Sequence, residues 1–83
     1  MYSTSTGNAE LDQAELYQKV QKLETRYRET SLQLDLARLE YYQLRRDAGA
    51  PPAEIARVEE KVFELIDKRD ALRAELERLE NLH

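Results

Sequence analysis

The last four residues, Glu80-Asn81-Leu82-His83, have the Glu-x-x-His spacing that sets two metal ligands on one face of a helix, and a two-fold dimer would supply the pair twice. A carboxylate-bridged metal site also needs an inward acid from each remaining helix, and near that end the candidate is Glu24. There is one His and no Cys, so thiolate ligands and Cys nucleophiles are excluded. The spacing is therefore read as an ordinary helix terminus with no bound metal. A metal-binding helical dimer using Glu80 and His83 is kept as the alternative.

Acid pairs such as Glu59-Glu60 and Glu75/Glu77 stand among bases at helical spacing. That pattern belongs to a solvated face laced with i to i+4 pairs rather than to general acid/base catalysis. Arg26-Tyr27-Arg28, Arg45-Arg46 and Lys68-Arg69, with Tyr41 and Tyr42 as stacking groups, suggest a nucleic-acid accessory role. Two features oppose it: each basic cluster has acids within a turn, and 13 bases against 17 acids leave a net charge of -4. There is no Gly-rich phosphate loop and no nucleophile-base arrangement, so no catalytic residue, cofactor site or enzyme activity is expected.

What positions these groups is a pair of helices. In the first half, Leu16, Val20, Leu23, Tyr27, Thr30, Leu34, Ala37, Tyr41, Leu44 and Ala48 fall at alternating spacings of four and three, the a/d seam of a coiled coil. A second seam runs Ile55, Val58, Val62, Leu65, Arg69, Leu72, Leu76 and Leu79, interrupted by the cation Arg69. The Arg69 stem is expected to pack while its guanidinium reaches solvent, Asp35 or a Tyr hydroxyl. Between the seams, Gly49 suits a left-handed helix end and Pro52 the first turn of a new helix.

The predicted fold is all-α: an antiparallel two-helix hairpin of coiled-coil type, with helix 1 over about 8–48, a turn at 49–51 and helix 2 over about 52–82. Residues 1–7 are expected to be a disordered tail, with Asn8 capping helix 1. In such a hairpin Glu40 should lie beside Lys61, Arg26 near Glu75 and Arg45 near Glu59, against like-charge meetings of Glu24 with Glu80 and Asp47 with Glu54.

A chain of 83 residues without disulfides makes a small core, for which a partner is the usual remedy. Leu32, Leu36 and Leu39 lie roughly 140–160° from the Leu34 direction, on the back of helix 1. Tyr42, Phe63 and Ile66 fall on the adjoining flank and complete an apolar patch of the kind that marks association. Helix 1 is also the longer arm, so Leu11, Ala14, Leu16 and Tyr17 overhang helix 2 and offer a second contact surface. The expected partners are a second copy, as a homodimer closing into a four-helix bundle, and another protein. The reading is a non-enzymatic adaptor, chaperone or assembly factor, binding neither nucleic acid nor membrane. The opening residues lack a basic or apolar leader, and the apolar runs are short beside the roughly 20 residues that span a bilayer, so the expected location is cytoplasmic.

Overall fold

The computed structural model describes residues 2–81 in their backbone and 13–81 in their side chains; Met1, Leu82 and His83 lie outside the described residues. It is a hairpin of two helices, α1 Tyr2–Arg46 and α2 Pro52–Glu80, laid along one another in a rod of 70 × 16 × 14 Å. The α1 backbone is helical from Tyr2, earlier than the start near residue 8 that the Asn8 cap suggested. It ends two residues earlier than expected, at Arg46.

Both heptad seams meet between the helices. From Leu16 to Leu44 every α1 seam residue is buried or half-buried, and from Ile55 to Leu79 so is every α2 seam residue. Ala48, past the helix end, is exposed. At the centre Leu34 is 0% exposed and clusters with Ala37 and Leu65, while Val62 and Ile66 pack against that cluster. Leucine and valine in these positions leave water along the whole seam, and that burial is what holds two otherwise charged helices together.

The turn departs from the expected mechanism. Gly49 has no positive φ, so the chain does not use a left-handed glycine to leave α1. Asp47 does the work instead. Its N–H is shared between the Gln43 and Leu44 carbonyls at 3.2 Å each, its Oδ1 accepts the Gly49 N–H at 3.0 Å, and its carbonyl accepts the Ala50 N–H at 3.1 Å. Short acidic side chains offer the backbone this local alternative to continuing the helix. Pro51 then adopts φ -64° and ψ 135°, the extended conformation enforced before a proline, and Pro52 opens α2 where no backbone donor is missed. The Pro51 carbonyl accepts from Glu54 and Ile55 to close the first turn.

Gly49→Ala is accordingly expected to stabilise the hairpin by about 0.4–1 kcal/mol, through a less flexible unfolded chain. The added Cβ would meet only Asp47 Oδ1, at an ordinary 3.5 Å. Asp47→Ala, which removes the turn's acceptor, should cost roughly 0.5–1.5 kcal/mol. Urea melts of the two variants check the pair, and a Gly49→Ala loss above about 1 kcal/mol would mean a left-handed residue at that position after all.

The expected cross-helix charge pairs do not form as written. Among the described residues the ion pairs lie within α2: Arg69 with Asp70 at 3.5 Å, Arg73 with Glu77 at 3.3 Å, and Arg78 with Glu75. Flanking positions on a two-helix rod stay open to water, where a pair is worth about 0–1 kcal/mol, so a partner one turn away on the same helix competes well. Glu75 takes both Arg78 Nε and Nη2 in a fork, and that hydrogen bonding holds its carboxyl below the ordinary carboxylate range. Arg45 and Glu59 do come together, through an intermediary: Arg45 Nη1 donates to the Tyr41 hydroxyl at 3.0 Å, and that hydroxyl donates to Glu59 Oε2 at 3.3 Å. Arg69 meets its neighbour Asp70 rather than Asp35 or a tyrosine. The cation lies at the solvent edge of the seam, within reach of its own helix's next acid.

Candidate interaction surface

Heptad geometry leaves α1 with two apolar sides. The a/d positions face α2, while Leu32 and Leu39 fall opposite them at f, Leu36 beside them at c, and Tyr42 at b. With apolar groups on opposing sides, α1 has almost no net amphipathic direction, whereas α2 keeps one. The outer stripe is open: Leu32, Leu36, Leu39 and Tyr42 are 55 to 61% exposed.

The stripe continues around one flank onto α2. Tyr42 and Phe63, the latter 59% exposed, line a groove of about 280 Å³ with Arg38, Tyr41, Glu59 and Val62. Tyr41 and Val62, from opposite arms, thus share one groove, as the hairpin register requires. The Tyr41 ring meets Tyr42 edge-on at 5.9 Å, and the Arg45 guanidinium lies 5.7 Å from the Tyr41 centroid. These contacts, with the Arg45–Tyr41–Glu59 chain, brace the wall of the groove and hold Tyr42 outward.

Not every candidate residue joins this surface. Ile66 is half-buried and packs on the Leu34, Ala37 and Leu65 cluster, so it belongs to the core more than to the face. Leu16 is half-buried, less open than Tyr17 beside it. Tyr17 is 64% exposed, its hydroxyl accepting from Gln21 Nε2 at 2.7 Å, and Ala14 is exposed. The Leu11 side chain lies outside the described residues. The structure therefore brings Leu32, Leu36, Leu39, Tyr42 and Phe63 to one region and leaves Tyr17 apart.

Three polar residues, of which Arg46 figured above only as part of a basic cluster, complete the picture. Glu29, Gln43 and Arg46 are exposed and continue the outer spacing of three and four on both sides of the leucines. Their signal is the heptad spacing itself, which polar residues can continue past the ends of an apolar stripe.

Of the metal candidates, Glu80 is exposed and His83 lies outside the described residues. Among the described residues no three His, Cys, Asp or Glu side chains cluster to hold an ion. None of the described helices is long and apolar enough to cross a membrane. Compared with known proteins, the chain matches no family model, no curated protein and no solved structure.

Proposed function

We propose that this protein is a non-enzymatic protein–protein interaction module, an adaptor, chaperone or assembly factor of the cytoplasm, that works through the outer face of α1 and its α2 flank. One observation carries the reading: among the described residues, six large apolar side chains are exposed against five apolar side chains buried in the core. Scattered surface leucines are ordinary. Here five of the six are drawn together, and a contiguous apolar surface on so slender a rod favours a covering partner. The acids and bases lie along exposed helix faces, which suits solubility and partner choice rather than chemistry.

The test is the double substitution Leu36→Glu with Leu39→Glu. Two carboxylates placed on the face should abolish association, homotypic or heterotypic, because each would be desolvated without a counter-charge. Exposed Glu64 on α2, changed to Gln, serves as the control. Solution mass and partner retention on the immobilised chain should both fall for the leucine variant and hold for the control. Unchanged behaviour in both assays would end the proposal.

A further inference from the structure

We infer that the occupant of this face is a second copy of the chain, docked α1 against α1 in antiparallel orientation about a two-fold axis passing between residues 37 and 38. The inference rests on the interaction reading above and names its partner. Its basis is the order of residues along the outer seam, Glu29, Leu32, Leu36, Leu39, Gln43 and Arg46, all exposed and spaced by three, four, three, four and three. That is a second coiled-coil stripe on a helix whose first stripe is already filled by α2.

Reversing a second copy about its centre sets Leu36 against Leu39 of that copy, Leu32 against Gln43, and Glu29 against Arg46. By symmetry each contact forms twice. The leucines lie in the middle, with an acid and a base closing both ends, the layout of an apolar core with a polar rim. Neither Glu29 nor Arg46 is engaged in an ion pair among the described residues, so both are available.

The alternatives are worse for stated reasons. A parallel pair in register matches each leucine with its own copy but sets Glu29 against Glu29 and Arg46 against Arg46, like charges at both ends, and it is the charge ends that disfavour it. Sliding the antiparallel pair by one heptad in one direction puts Leu39 against Glu29 of the other copy; sliding it the other way puts Leu36 against Arg46 and leaves no leucine facing a leucine. Charge and apolar order thus select one register. The hairpin's thin core supplies the drive, since a four-helix arrangement buries on the outside of α1 what two helices cannot.

The experiment is sedimentation of the full chain with charge-swapped variants. The natural chain should sediment at twice its 9.8 kDa mass. Glu29→Arg and Arg46→Glu should each raise the dimer dissociation constant on the order of tenfold, since each places two like-charge meetings in the dimer. The combined variant should regain most of the loss, with circular dichroism confirming that helix content is held throughout. As a check of orientation in a chain free of cysteine, Leu32→Cys mixed with Gln43→Cys should oxidise to the mixed disulfide dimer. A Leu32→Cys dimer formed by itself would overturn the antiparallel arrangement, and a combined charge variant no better than the singles would overturn the register. A natural chain monomeric at every concentration would give the face to a foreign protein and overturn the inference while leaving the interaction module standing. Only an inert Leu36→Glu with Leu39→Glu variant would remove that as well.

Discussion

Leu34→Ala is expected to cost the hairpin about 2–5 kcal/mol, the range for emptying a buried leucine site in a core that relaxes only in part. Leu34 is wholly buried and is the centre on which Ala37, Leu65, Val62 and Ile66 converge. A domain of this length holds a net stability of roughly 4–12 kcal/mol, and a two-helix hairpin sits at the lower end. One methyl-rich side chain thus accounts for a large share of the fold. The matching change Leu32→Ala, on an outer leucine 61% exposed, should shift the monomer's stability by no more than about 0.5 kcal/mol, since Ala is at least as good a helix former. Urea melts at a concentration low enough to hold both variants monomeric make the comparison. Equal losses would mean that the two sides of α1 had been assigned wrongly.

That contrast is also where the sequence was most legible. Alternating spacings of three and four name a seam directly, because side chains on a helix repeat nearly every seven residues. Leu16 to Leu44 and Ile55 to Leu79 accordingly lie where the spacing put them. The outer leucines were legible for the same reason, being separated from the seam by angle alone. The turn was less so. Gly49 advertised a left-handed exit, yet the side chain of Asp47 closes the turn first, and a side-chain acceptor for the N–H two residues on leaves no pattern in apolar spacing. Cross-helix charge pairing was least legible. Several arrangements of exposed charges differ by less than 1 kcal/mol, so Glu75 settles on Arg78 in its own helix rather than on Arg26. Glu59, by contrast, finds Arg45 through the Tyr41 hydroxyl.

The one polar layer in the seam leads to the second large effect. With Leu34, Ala37 and Leu65 clustered and Tyr41 bonded to Glu59, the register brings Thr30, 2% exposed, level with Arg69, and Thr30 lines a hollow with Lys68 and Leu72 on either side of that level. The Arg69 side chain is 28% exposed and among the described residues its one ion pair is a long one to Asp70, so its partial desolvation is poorly offset. Replacing the layer by apolar groups, Arg69→Leu with Thr30→Val, is expected to raise stability by about 1–2 kcal/mol, because the guanidinium at the solvent edge is only partly desolvated, each kcal/mol shifting the melting temperature by roughly 4–8 °C in a domain this small. The same change should loosen register. Sliding α2 by one heptad now sets Arg69 against Leu23 or Ala37, at a cost that keeps the helices aligned, and an apolar layer removes that penalty. The expected variant is therefore more stable to heat yet shows broadened or doubled amide resonances around Thr30 and Arg69. A variant less stable than the natural chain would mean that Arg69 gains more from its surroundings than the Asp70 pair supplies, and the polar layer would then be a stabilising feature rather than one that specifies alignment.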